Sequence, residues 1–354
     1  MLKGFTRVTF AALSLSVALV ATLARGVDPA PSAATPAAAP AVPAAAAPPI
    51  ELPEWLFPVD PNSLVKNPQP VKLDDVEQLD IPGSDQKFTQ ARINDPYNAP
   101  DWHPNDHIPM PDIVAKGRKP AAMACAYCHT PTGQGRPENS ALAGLPEGYI
   151  KEQLLDMRSG KRKPTGPEVY KPSWAMHALA KNLTDAEIDE SAKYFAQQKL
   201  KRRHYIIESL RIPRAERAAW IYEEVGGTED LEGRLLEVTS ELVRHERRDD
   251  RLQYTVYVPP GSQARGKRLA TKGEGEEKGA KTQVCATCHL ANLKGTDKIP
   301  PIAGRSPTYL LRQMLAFRNG TRVNEVSPQM TPVLEKLTLA DMVDLAAYVG
   351  SLYP

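Results

Sequence analysis

Cys125-Ala126-Tyr127-Cys128-His129 and Cys285-Ala286-Thr287-Cys288-His289 are one phrase used twice, 160 residues apart. Two thiols three positions apart lie on adjacent faces of one helical turn. Each can form a thioether to one of the two vinyl groups along an edge of a porphyrin. The histidine that follows then points a ring nitrogen at the iron from below the plane. C-x-x-C-H in this form is the attachment signature of c-type haem. All four cysteines of the chain fall in the two motifs, so none is left for a disulfide or a nucleophile. A zinc ribbon also pairs C-x-x-C units, but with about 15–20 residues between them, and a thioredoxin-like dithiol needs a βαβ setting. The chain is expected to carry two covalently attached haem c groups, through Cys125, Cys128, Cys285 and Cys288. His129 and His289 are the expected iron ligands on one face.

The likeness runs beyond the motifs. Ala303-Gly304, Tyr309-Leu310, Gln313, Arg318 and Gly320 stand 160 residues after Ala143-Gly144, Tyr149-Ile150, Gln153, Arg158 and Gly160. Apolar residues from Tyr149 to Met157 recur at three- and four-residue spacings, which predicts an amphipathic helix leaving at Gly160. Thr184 and Glu187 form a capping box that opens another helix running to Tyr194-Phe195. Its counterpart, Leu337 to Tyr348, lies 154 residues further on. One shift holds from the cysteines to the glycine, and six residues are then lost from a loop. The chain is read as an internal duplication.

The sixth position on each iron separates an electron carrier from a catalyst. Met176 lies seven residues before Leu183 and Met330 seven before Leu337, and no other methionines coincide between the copies. Both are read as loop residues opposite the attachment helix and as the second axial ligands. Met157 and Met314 align with Phe317 and Leu154, as interchangeable core residues do. His177 is the rival of Met176, although the second copy has Thr331 in its place. His103, His107, His204 and His245 have no counterparts and are read as exposed or hydrogen-bonded.

A chain of 354 residues suffices for two domains, each with its own core. A net charge of +2 and 6% aromatic residues argue against a nucleic-acid partner. Residues 1–24, with Lys3 and Arg7 before an apolar run, are read as a signal peptide or membrane anchor. Residues 25–49 form an Ala/Pro-rich linker with eleven alanines and seven prolines between Asp28 and Pro49. Residues 50–112 are expected to form an extended arm around the first haem domain, anchored by Trp55, Leu56, Phe57, Trp102 and Ile108. The first domain is placed at 113–203, an insert at 204–281 and the second domain at 282–354. Within the insert, Pro213 to Val225 is expected to be helical. Leu235–Val238 and Leu252–Val258 alternate as strands do and predict a small β-hairpin.

The run of C-x-x-C-H, a Pro-Ile-Ala-Gly-like turn, a Tyr-x-x-x-Gln helix, a methionine and a Leu-Thr-initiated helix resembles the class I cytochrome c domain. Doubled in one exported chain, it resembles the two-haem cytochromes of the c4 type, over about residues 113–200 and 282–353. The resemblance implies a mainly α fold of tandem class I cytochrome c domains, with an irregular arm and a small insert. It also implies that a turn carbonyl holds the N–H of each ligand histidine, a role that would fall to Pro301 and, in the first copy, Ala141. The expected function is transfer of single electrons in the periplasm, from a dehydrogenase or membrane complex to a terminal acceptor. The donor and acceptor would be redox proteins, with membrane association through the N-terminus as an option. An electron carrier is not an enzyme. The alternatives are a peroxidase-like two-haem enzyme with one open iron, or a cytochrome subunit of a dehydrogenase complex.

Overall fold

The computed structural model describes residues 48–60, 76–275, 279–325 and 327–354, which lie in one compact unit. The leader, and the linker as far as residue 47, lie outside the described residues. No helix among the described residues is long and apolar enough to cross a membrane.

The arm carries one short helix, α1 (Gln90–Ile93), capped by Thr89. The first helical unit follows as α2 (Asp112–Ala115), α3 (Cys125–His129), α4 (Glu147–Ser159), α5 (Lys171–Asn182) and α6 (Asp185–Ala196). α4 ends where Gly160 takes φ 81°, a left-handed conformation that costs glycine nothing. The predicted capping box opens α6: Glu187 N donates to Thr184 Oγ1 at 3.2 Å, and Thr184 N donates back to Glu187 Oε2 at 2.7 Å. Ile150, Leu154 and Met157 of α4 belong to one apolar cluster with Ile188, Ala192 and Phe195 of α6.

The insert departs from expectation. It forms a five-stranded mixed sheet rather than a hairpin, from β1 (His204–Glu208), β2 (Arg211–Ala218), β3 (Ile221–Asp230), β4 (Leu236–Thr239) and β5 (Tyr254–Val258). A short helix, α7 (Leu242–Glu246), separates the last two strands. The spatial order is β1-β5-β4-β3-β2. The two predicted strands do pair antiparallel, Leu236 opposite Tyr257, but they form the middle of the sheet. The stretch expected to be helical is β2 and β3, joined through Ala219-Trp220. Arginine, glutamate and alanine favour a helix there, yet Tyr222 pairs with Val238 of β4 and is buried by it. Strand pairing outweighs local propensity. The fold is therefore two helical units plus a five-stranded mixed sheet, in place of helices with a small hairpin.

The second helical unit comprises α8 (Ser262–Lys272), α9 (Ala286–His289), α10 (Pro307–Arg318), α11 (Ser327–Leu334) and α12 (Leu339–Ser351). α8 crosses α12 so closely that a Cβ on Gly266 would stand 1.9 Å from the Asp344 carbonyl oxygen. Arg265 clamps the crossing with two bonds to the Asp344 carboxylate, at 2.7 and 2.9 Å. This helix lies inside the stretch read from the sequence as insert.

The arm needs a correction as well. Residues 48–60 do not wrap the first unit but seat chiefly on the second. Leu56 and Phe57 join the core that holds Leu311, Leu315 and Leu345. The Leu56 carbonyl accepts two bonds from the Arg312 guanidinium, at 2.6 and 3.0 Å. The same segment also touches the insert, where Asp60 N donates to the Ala219 carbonyl at 3.1 Å, and the first unit, where the Phe57 ring meets Tyr170 edge-on at 5.4 Å. The later part of the arm reaches the insert again through buried Trp102, which donates its Nε1–H to the Arg247 carbonyl at 2.6 Å.

Candidate haem sites

The helical units each enclose a cavity. Cys125, Cys128, His129 and Met176 line one, and Cys285, Cys288, His289 and Met330 line the other. The residues singled out in the sequence are thus brought together, copy by copy. Both methionines are on helices, α5 and α11, and not in loops. Pro172 at the start of α5 suits the first helical turn, where its missing N–H is not needed. His177 lines the same cavity as Met176, with its Nδ1 donating to the Ser173 carbonyl at 2.7 Å.

Each motif histidine is held through its far nitrogen. His129 Nδ1 donates to the Ser140 carbonyl at 2.8 Å, and His289 Nδ1 to the Pro300 carbonyl at 3.0 Å. These acceptors lie one residue before Ala141 and Pro301. The Ala141 and Pro301 carbonyls themselves are both taken by Arg305, at 2.8 and 2.6 Å. Burial lowers the pKa of both histidines, which favours the neutral imidazole that can ligate a metal. Burial also pushes the Cys125 thiol up to about 12 and the Cys285 thiol up to about 11. Neither is a thiolate at neutral pH, so a free nucleophilic thiolate is disfavoured. The other histidines are engaged elsewhere. His103 meets Asp249 at 3.3 Å, His107 meets Asp101 at 3.1 Å, His204 meets Glu237 at 2.9 Å and His245 meets Tyr254 at 3.0 Å.

Between the cavities lies a feature the sequence reading passed over. Lys163 N donates to the Thr321 carbonyl at 2.7 Å and Val323 N to the Lys161 carbonyl at 3.0 Å. A shift of 160 residues exchanges these two bonds, so the copies meet about a local two-fold. At its centre Arg162 donates to Gln153 and Gln313 at 3.0 and 2.9 Å. Arg322 donates to the same two side chains at 2.8 and 3.0 Å, and to Tyr149 Oη at 2.6 Å. Two buried guanidinium groups share amide oxygens here, and Arg322 Nε is left without a partner. Neither arginine forms an ion pair with a carboxylate among the described residues. Such a pair is costly unless an anion completes it. Haem brings two propionates, so the orphaned donors fit that group. The clue was legible, because Arg162 and Arg322 keep the 160-residue shift.

Two helical units, each closing a C-x-x-C-H motif and a methionine into one cavity, define a two-haem c-type cytochrome. The chain belongs to the cytochrome c family: residues 114–199 and 263–353 match the family model described as Cytochrome c. Two such domains bind two haem c groups covalently, and the protein is an electron-transfer cytochrome. The chain is 25% identical to cytochrome c4 of Pseudomonas aeruginosa over 244 residues, 68% of this chain and 89% of that protein. It is 27% identical to the thiosulfate dehydrogenase electron acceptor of Stutzerimonas stutzeri over 238 residues, 66% of this chain and 82% of that one. Among solved structures, thiosulfate dehydrogenase (TsdBA) from Marichromatium purpuratum is similar, at 22% identity and a TM-score of 0.45. That likeness covers 67% of this chain and 38% of the other.

Proposed function

We propose that this protein is an exported carrier of single electrons. Cys125 and Cys128 hold the haem of the first domain and Cys285 and Cys288 that of the second. His129 with Met176, and His289 with Met330, would hold the two irons. Each haem, when bound, supplies an iron that cycles between its ferrous and ferric states. The rest is done by the chain. The Ser140 and Pro300 carbonyls fix each imidazole ring, aim its Nε2 and raise its basicity. The Met176 and Met330 thioethers are soft donors that favour the ferrous state and fill the remaining face. Arg162 and Arg322 would receive propionates, turning a buried pair of like charges into a neutralised one.

The observation that carries this reading is the wall common to both cavities. Leu145, Tyr149, Tyr309 and Gln313 line each of them, so the two sites share lining residues. An electron arriving at one domain has a short path to the next. Electrons would come from a dehydrogenase or membrane complex and pass to a terminal acceptor. The Stutzerimonas relative, described as the electron acceptor of thiosulfate dehydrogenase, supports a dehydrogenase on the donor side. The leader and the need to attach haem outside the cytoplasm support a periplasmic site of action, free or tethered. The test is an optical titration with carbon monoxide when reduced and peroxide when oxidised. Inertness of both haems is expected. Prompt carbon monoxide binding by one haem, with peroxide turnover, would replace the carrier reading with an enzymatic one.

A further inference from the structure

The two attachment motifs are equivalent in sequence and unequal in exposure. In the first copy Ala126, Thr130, Thr132 and Gln134 are 1, 0, 2 and 3% exposed. The same positions in the second copy, Ala286, Leu290, Asn292 and Lys294, are all exposed, Leu290 at 46%. The difference is the insert. The Arg248 guanidinium carbon lies 3.8 Å from the centre of the Tyr127 ring. Thr132 donates to Asp250 at 2.6 Å, and Arg203 donates to the Gly135 carbonyl at 2.8 Å. Among the described residues none of these contacts has a counterpart on the second motif. Leu290 also adopts φ 60° and ψ 178°, a backbone region that belongs almost wholly to glycine. Thr130 shares that strain but is buried. Only in the second copy does the strained turn present an aliphatic side chain to solvent.

We infer that electrons enter and leave the protein through the attachment-motif face of the second domain. The first haem then communicates with the outside only through the second. This rests on the electron-carrier reading and assigns it a direction. The thioether edge of the porphyrin lies at Cys285 and Cys288, so a partner seated on Ala286, Thr287, Leu290 and Ala291 is as close to it as protein contact allows. The centre of this face carries no charge, and its rim, with Lys294 and Lys298 against Asp297, has a net charge of only +1. The occupant that matches is a redox protein whose own electron-carrying group lies under an uncharged, apolar surface. Desolvation of the Leu290 side chain would anchor it.

The test uses the full two-haem protein, reduced, mixed with oxidised azurin as an apolar-faced copper protein or with hexacyanoferrate. Leu290→Glu should slow electron transfer to azurin about tenfold, the equivalent of about 1.4 kcal/mol, with the visible spectrum unchanged. Leu290→Lys, of opposite charge, should slow it alike. Val243→Glu, at an exposed position on the insert, should leave the rate within about twofold. No effect at Leu290, or a larger effect at Val243, would overturn the assignment. Reaction with hexacyanoferrate but not azurin would overturn the apolar partner. A wild-type dimer on size exclusion that Leu290→Glu dissolves would show that a second copy occupies the face. A wild type inert to both reagents would sink the carrier reading itself.

Discussion

Arg162 and Arg322 meet at the boundary of the two sites and share the carbonyl oxygens of Gln153 and Gln313. Because both arginines serve both glutamines, their contributions should be coupled. Arg322→Gln is expected to cost about 1.5–3 kcal/mol, typical of hydrogen bonds to a buried charge. Combined with Arg162→Gln it should fall short of additivity by at least about 0.5 kcal/mol in a double-mutant cycle followed by urea. Strict additivity would mean that the cluster is not a unit. The axial methionines allow a cleaner reading. Met330→Ala should make about half of the haem absorbance respond to carbon monoxide, since one of two sites opens. Met176→Ala should do the same for the other half. If Met176→Ala leaves the spectrum inert, His177 is the ligand of the first iron, one residue along the same helix.

The crossing of α8 over α12 depends on a missing side chain. With only 1.9 Å available between a Cβ on Gly266 and the Asp344 carbonyl oxygen, Gly266→Ala must push two helices apart. Overpacking of this sort costs about 1–3 kcal/mol, and Arg265 would lose its two-pronged hold on Asp344. A lower denaturation midpoint confined to the second domain is the expected outcome. The arm is held differently. Asp106 accepts two bonds from Arg251 of the insert, at 2.8 and 2.9 Å, and one from Lys201 at 2.9 Å. Arg251 first, and Lys201 after it, hold the Asp106 carboxyl well below the usual carboxylate range. A depressed folded-state pKa stabilises above the unfolded value and is lost below it. The arm should therefore become more protease-sensitive as pH falls below about 4. Asp106→Asn should be sensitive already at neutral pH and show less change on acidification.

Viewed whole, the molecule is a duplicated pair made unequal by what is packed around it. The duplicated parts supply two like cavities, a two-fold seam and a common wall. The insert seals the motif face of the first domain, and the opening segment of the arm docks on the second domain through Arg312. This guanidinium also donates to the Pro137 carbonyl of the first domain, at 2.9 Å. The arm thus ties the two copies together. A chain lacking residues 48–60 should keep both haems yet lose cooperativity between domains, seen as two unfolding transitions in calorimetry where the full chain gives one.

The attachment motifs and the cap of α6 were legible in the sequence because each depends on local spacing. A C-x-x-C-H turn is complete within five residues, a capping box within four. The duplication was equally plain, since a fixed shift is a property of the chain and not of its folding. Other features came from contacts distant in sequence. β1 pairs in parallel with β5 some fifty residues away, and β3 in parallel with β4, partnerships that no local pattern announces, and together they extend the expected hairpin into a five-stranded sheet. Each motif histidine's carbonyl partner lies one residue before the expected one because Arg305 takes the neighbouring carbonyl, at Pro301 within its own domain and at Ala141 in the other. The inequality of the two motif faces was invisible in two nearly identical pentapeptides. Burial depends on what a fold stacks against a surface, and here the insert settled which copy stayed open.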